Sequence, residues 1–210
     1  MPLHQSITPA PQVRAHIWRV TETEADLARG IELRLPCQER LNGMKSGIHR
    51  RGFLSIRHLL AVEGYTDQDL YYDSQGKPHL QDGTNISITH SFEFAGVIFS
   101  GKQEVGIDIE KQRDKILRIA HKFTPLNEYR SLANDEALIR KLTMVWTAKE
   151  SIYKVMSQPG LSFLEHIRIA DFSMDDPQST GKATFGANTR GFTTRFLEFE
   201  GYTCGYALAD

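Results

Sequence analysis

The chain has 210 residues, enough for one large core or for two of roughly 100 residues each. Hydrophobic residues make up 40% and charged residues 24%, which excludes a disordered or low-complexity polymer. With 25 basic against 26 acidic residues the formal net charge is -1, so no global field argues for nucleic acid or a membrane surface, and charge-driven recognition has to be local.

Residues 1–10 lack the charged head and continuous apolar run of a signal peptide, and no stretch reaches the apolar length of a membrane span. Only Cys37 and Cys204 are present, far apart and without metal-ligand spacing. These features predict a cytoplasmic protein. Residues 13–20 alternate as a strand does, and residues 22–35 behind Thr21 read as an amphipathic helix ended by Pro36. A second helix is expected to follow, basic from Arg40 to Arg57, within residues 40–62. That stretch holds no acid but carries Arg40, Lys45, Arg50, Arg51 and Arg57 beside an apolar ladder of Phe53, Ile56, Leu59 and Leu60.

Asp73-Ser74-Gln75-Gly76-Lys77-Pro78 has turn chemistry, because Gly permits unusual backbone angles and Pro holds the chain extended. Short β-branched and aromatic runs at 86–89, 94–99 and 104–110 predict strands, the last two forming an antiparallel hairpin across Ser100-Gly101-Lys102-Gln103. A boundary in that turn divides the chain into halves 1–102 and 103–210. Beyond Glu110 a helical stretch leads to Phe123-Thr124-Pro125, where Thr caps a new helix and Pro suits its first position. The strongest helical signal runs from 135 to 156, with Leu138, Leu142, Val145, Ile152 and Met156 as the buried stripe, and Pro159-Gly160 stops it. Strands are expected at 167–172, 193–199 and 202–208. Helices combined with antiparallel strands in each half give an α+β architecture.

Gly106-Ile107-Asp108-Ile109-Glu110 is the sharpest local feature. In a strand, Ile107 and Ile109 share one face while Asp108 and Glu110 share the other, about 7 Å apart. Two carboxylates so placed can share a hard cation such as magnesium, and the same string also suits an edge strand with a solvated acidic face. Within the strong helix, Trp146, Glu150 and Lys154 lie four apart and project from one side, next to the apolar stripe. Glu150 there can complete a metal site or act as a base with Lys154 beside it, or the two can form a surface pair. His90 between Thr89 and Ser91 offers donors to a phosphate, and equally fits a structural histidine. Lys77 and the arginine cluster are open to both a ligand role and a solvated one. No phosphate-binding glycine loop is present, so a polyanion has to be held by side chains.

In order along the chain, Gly76-Lys77-Pro78, Thr89-His90-Ser91, Gly106 to Glu110, Phe123 with Glu128-Tyr129, and Trp146 with Lys149-Glu150-Ser151 and Lys154 resemble the ordered motifs of surfactin-type phosphopantetheinyl transferases. The resemblance covers roughly residues 50 to 155, and the ordered set is far more specific than any one member. It implies two similar α+β halves related by a pseudo-twofold axis, with coenzyme A in the cleft between them, in a monomer. It implies Mg2+ on Asp108, Glu110 and Glu150, and catalysis by Glu150, Lys154 and Glu110. Coenzyme A contacts implied by it are Arg51, Arg57, Lys77, Thr89, His90, Asp108, Lys149 and Lys154. The expected partner is an apo acyl or peptidyl carrier protein, and no nucleic acid or membrane. Many relatives carry Asn-x-Ser-His-Ser where this chain has Ser87-Ile88-Thr89-His90-Ser91; Thr89 keeps a hydroxyl. The competing readings are a magnesium-dependent phosphoryl or pyrophosphate hydrolase, with water in place of serine, and a non-catalytic module that binds coenzyme A or a carrier.

Overall fold

Alternating apolar and polar side chains build the first sheet of the computed structural model, which describes residues 3–125, 134–176 and 178–210. Glu128 and Tyr129, and the body of the helix expected after Pro125, lie outside the described residues. The chain divides into two units, Met1–Lys102 and Gln103–Asp210. Both mix helices with sheets, and every strand pair among the described residues is antiparallel.

The first unit runs β1 (Leu3–Ala10), β2 (Val13–Arg19), α1 (Glu24–Ala28), α2 (Leu35–Gly43), α3 (Gly47–Val62), β3 (Leu70–Tyr72), β4 (Pro78–Leu80), β5 (Asn85–Ser91) and β6 (Phe94–Ser100). Its main sheet has the order β1-β2-β6-β5, and β3 and β4 form a separate hairpin. The apolar face of α3 (Phe53, Leu54, Ile56, Leu59, Leu60) meets Trp18, Ile86, Val97 and Phe99 of the sheet in one core. Each such side chain contributes about 1.5 to 3 kcal/mol through removal from water.

The second unit runs β7 (Val105–Lys111), α4 (Lys115–Ile119), a 3-10 turn at Ala120–Lys122, α5 (Asp135–Met156), β8 (Ile167–Ile169), β9 (Gln178–Phe185), β10 (Asn188–Phe199) and β11 (Tyr202–Ala209). Its sheet has the order β7-β11-β10-β9-β8. Asn134 caps α5 by accepting from the Ala137 amide at 2.9 Å, with Asp135 and Glu136 in the first turn. Ser157, at φ 45, ends it in the left-handed region. Apolar residues surround α5 on several sides, with Ile152 and Val155 in one cluster, Leu142 and Val145 in another, and Met144 and Ala148 in a third. Leu138 and Met156, expected in the buried stripe, are half-buried.

Several expectations are corrected. The helix placed over 22–35 is the short α1, capped by the Thr23 side chain, and Gly30 at φ 79 lies beyond its end. Pro36 opens α2 instead of ending a helix, as its fixed φ and missing N–H allow. The basic helix expected from Arg40 to Arg57 is interrupted between Gly43 and Gly47. The expected hairpin between the strands on either side of Gly101 is absent: β6 pairs with β2 and β5, and β7 pairs with β11.

Candidate active site

Strand β7 carries its acids on the face covered by α5. A Cβ on Gly106 would fall 1.9 Å from the Ser151 carbonyl oxygen, and one on Gly205 of β11 would fall 2.5 Å from Thr147 Oγ1. Gly205 pairs with Asp108 in the sheet. Two residues without side chains thus let the helix lie directly on the strands, and the Ser151 hydroxyl reaches the Gly205 carbonyl at 2.9 Å. Ile107 and Ile109 fill the opposite face of β7, almost fully buried.

That close approach brings the second unit's expected acids together. Asp108 is buried, and its Oδ1 accepts from Lys154 Nζ at 2.8 Å; the same ammonium donates to the Ile107 carbonyl at 2.8 Å. Glu150 is half-buried, and its carboxyl is pushed up to about 7, first by burial and then by the charge of Asp108, with Glu110 adding to the rise and Lys154 opposing it. Asp108, Glu110, Glu150 and Lys154 therefore share one electrostatic neighbourhood. Among the described residues no group of three or more His, Cys, Asp or Glu side chains is placed to hold a metal ion, and the cation beside Asp108 is Lys154. The donor set is all carboxylate oxygen with mutual repulsion, the chemistry a hard divalent cation offsets.

Glu110 also opens on a cavity of about 170 Å³ lined by Lys111, Arg113, Lys115, Ile116, Thr143 and Trp146. Trp146 is held edge-on to Phe123 at 5.0 Å between centroids and lies 5.3 Å from the Phe163 ring. The cavity therefore combines an indole wall with three cations, a setting suited to phosphate oxygens.

Lys149, expected to touch coenzyme A, is a correction. It is buried, and its ammonium donates to the carbonyls of Phe123 at 2.5 Å, Phe163 at 2.7 Å and Ile167 at 2.6 Å. Three hydrogens meet three carbonyls, so the charge ties loops to α5 and has no donor to spare for a phosphate. Arg57 is a second correction. It is buried under the Phe53 ring, pairs with Asp67 through Nε at 2.9 Å and Nη2 at 2.8 Å, and donates to the Phe53 carbonyl. Arg50 is likewise engaged with Glu24.

The other first-unit candidates lie on α3, β5 and the turn before β4. His90 is exposed, its ring 5.5 Å from that of His49 and so near Gly52 that a Cβ there would sit 3.1 Å from His90 Cγ. Gly52 follows Arg51, so α3 and β5 place Arg51 and His90 in one region, with Thr89 buried in the strand between His90 and Ile88. Lys77 leaves the β3–β4 turn that Asp73 organises, its Oδ1 accepting from the amides of Gln75 and Lys77 at 2.9 Å each.

Residues 104–207 match the family model of the 4'-phosphopantetheinyl transferase superfamily. Over that segment, just under half of its length, the chain is similar to that superfamily. It is 30% identical over 114 residues to the 4'-phosphopantetheinyl transferase AcpT of Salmonella typhi, a match covering 51% of this chain and 59% of that protein. It is 29% identical over 160 residues to the 4'-phosphopantetheinyl transferase gsp of Aneurinibacillus migulanus, covering 73% of this chain and 65% of that protein. The chain thus spans less than two thirds of the length of either relative.

The segment matched by that family model contains Asp108, Glu110, Glu150 and Lys154, whereas Arg51, Lys77, Thr89 and His90 precede it. Sequence reasoning named Gly106 only as part of the acidic motif and passed over Gly205, and so missed that both let α5 lie on the strands. Gly205, isolated in the apolar run 202–208, carried the available signal, since a glycine inside a strand marks close approach of another backbone. The cationic lining around Glu110 was legible only as scattered Lys111, Arg113 and Lys115.

Proposed function

We propose that the chain transfers the 4'-phosphopantetheine group of coenzyme A to a serine hydroxyl of an apo acyl or peptidyl carrier protein, releasing 3',5'-bisphosphoadenosine. The observation that carries this reading is the electrostatic coupling of Glu150 to Asp108, Glu110 and Lys154, with Lys154 paired to Asp108 across β7 and α5, inside the segment matched by the superfamily model. Asp108, Glu110 and Glu150 would hold Mg2+, which when bound supplies charge neutralisation to the pyrophosphate. Glu150 accepts the proton of the attacking serine hydroxyl, directly or through water; a carboxyl that titrates near 7 is well matched to that task. Glu110 is the second candidate for the base. Lys154 turns from Asp108 toward a phosphate oxygen, where its charge stabilises the leaving side. In the first unit, Arg51, Lys77, Thr89 and His90 hold the adenosine and 3'-phosphate part.

In each unit the last strand lies between the strand that precedes the helices and the penultimate strand: β2-β6-β5 and β7-β11-β10. That common connectivity supports reading the units as two similar halves. We place the enzyme in the cytoplasm as a monomer. The deciding experiment incubates the protein with coenzyme A, Mg2+ and a panel of apo-carriers and weighs the carriers by mass spectrometry. Addition of the phosphopantetheine arm to a carrier serine is expected. Consumption of coenzyme A without an adduct on any carrier would instead identify a pyrophosphate hydrolase.

A further inference from the structure

A second group of reactive side chains lies in the first unit and owes nothing to the transfer reaction. Ser6 of β1 is exposed, and its Oγ lies 2.8 Å from His16 Nδ1 of β2. His16 is buried, and its Nε2 lies 2.7 Å from Glu63 Oε1 at the end of α3. Arg14 Nε donates to the other carboxylate oxygen at 2.5 Å and so holds Glu63 in place. The hydrogen positions follow from chemistry. A carboxylate only accepts, so Nε2 carries the imidazole hydrogen; Nδ1 is then an acceptor, and the Ser6 hydroxyl donates to it. This is the tautomer in which a histidine can take a serine proton, with a carboxylate behind it to stabilise the imidazolium.

The strand register has been adjusted to give this arrangement. Leu3 pairs with Trp18, whereas Gln5 pairs with Ile17 and Ser6 with His16. Carrying the first pairing forward without a shift would set Gln5 opposite His16. One irregularity between Leu3 and Gln5 therefore substitutes a nucleophile for an amide at the histidine, the kind of re-aiming for which bulges are found beside reactive sites.

We propose that Ser6, His16 and Glu63 form a second reactive centre, in which Ser6 is a nucleophile toward electrophilic esters and His16 its base. With a fluorophosphonate, the Ser6 oxygen forms a bond to phosphorus, fluoride leaves with the electron pair of the broken P–F bond, and the hydroxyl proton passes to His16 Nδ1. The product is a stable adduct, one per chain.

The test treats the full-length protein with a fluorophosphonate and follows labelling at each serine by peptide mass spectrometry. Ser74, exposed in the β3–β4 turn, serves as the internal reference. Ser6 is expected to label at least about 100-fold faster than Ser74, the scale of general-base assistance. Ser6→Ala removes the fast adduct without changing carrier modification, and Glu63→Gln slows labelling about tenfold or more. His16→Gln returns Ser6 to the Ser74 rate. Equal rates at Ser6 and Ser74 in the unmodified protein would overturn the proposal, and that comparison stands even where a His16 variant fails to fold. Retention of the fast rate in Glu63→Gln and His16→Gln together would overturn it as well.

Discussion

A carboxyl buried beside two others has reason to keep its proton, and Glu150 does so up to about pH 7, against 4.5 in an unfolded chain. Between those values the folded protein holds the extra proton. Its contribution to stability is therefore fully present below pH 4.5 and lost as pH rises through 7. Replacing the group by a neutral amide removes that loss. Metal-free Glu150→Gln should melt above the metal-free parent at pH 8, by an amount on the order of 1 to 3 kcal/mol after solvent screening, and the gap should close as pH falls to 4.5. Adding Mg2+ to the parent at pH 8 should narrow the same gap. Transfer should be abolished in the variant while coenzyme A binding stays measurable; near-normal turnover would remove Glu150 as base. Lys149 calls for the opposite signature. Lys149→Met strips three carbonyls of their donor and should cost about 3 kcal/mol in denaturant unfolding. A variant of unchanged stability but raised KM for coenzyme A would restore the ligand role.

Among the elements, α5 is the one the sequence describes almost completely. Its helical periodicity and its Pro159-Gly160 stop are local signals that agree, and the helix occupies Asp135–Met156; the burial of its faces, three clusters instead of one stripe, was not local. Strand pairing is another matter. The turn at Gly101 has hairpin chemistry, yet β6 and β7 enter different sheets, because a turn specifies only a change of direction and the partner is chosen by distant packing. Strands β1 and β9 escaped notice for a related reason: half-exposed strands rich in Thr, Ser and Gln show little apolar contrast. The candidate site divides along the same line. Residue types and order pointed to Asp108, Glu110 and Glu150, whereas whether a cation faces a ligand or an internal carbonyl depends on tertiary contacts, so Arg57 and Lys149 were misread. The seating of α5 on β7 is itself testable. Gly106→Ala puts a methyl 1.9 Å from the Ser151 carbonyl, a backbone atom of the helix, so the helix has to shift. A loss of at least about 2 kcal/mol in stability, together with lost transfer, is expected. Gly43→Ala, where nothing lies within 4 Å, should be neutral or slightly stabilising.

For the molecule as a whole, a formal charge of -1 leaves recognition of charged partners to local groups. The acid-free stretch from 40 to 62 looked in sequence like a reserve of five cations. In the fold Arg50 is neutralised by Glu24, Arg57 by Asp67, and Arg40 lies over the Tyr72 ring at 4.6 Å. Lys45 and Arg51 carry what charge remains for a ligand. A stretch so depleted is poorly equipped to steer a protein partner over a distance, whereas the polyphosphate of coenzyme A concentrates its charge within contact range of a few cations. Raising NaCl from about 50 to 500 mM shortens the screening length from roughly 13 to 4 Å. The KM for coenzyme A should then rise about tenfold, and that for the carrier less than about threefold. A carrier KM that climbs as steeply as that of coenzyme A would mean that Lys45, Arg51 or the cations around Glu110 receive the carrier instead of the nucleotide.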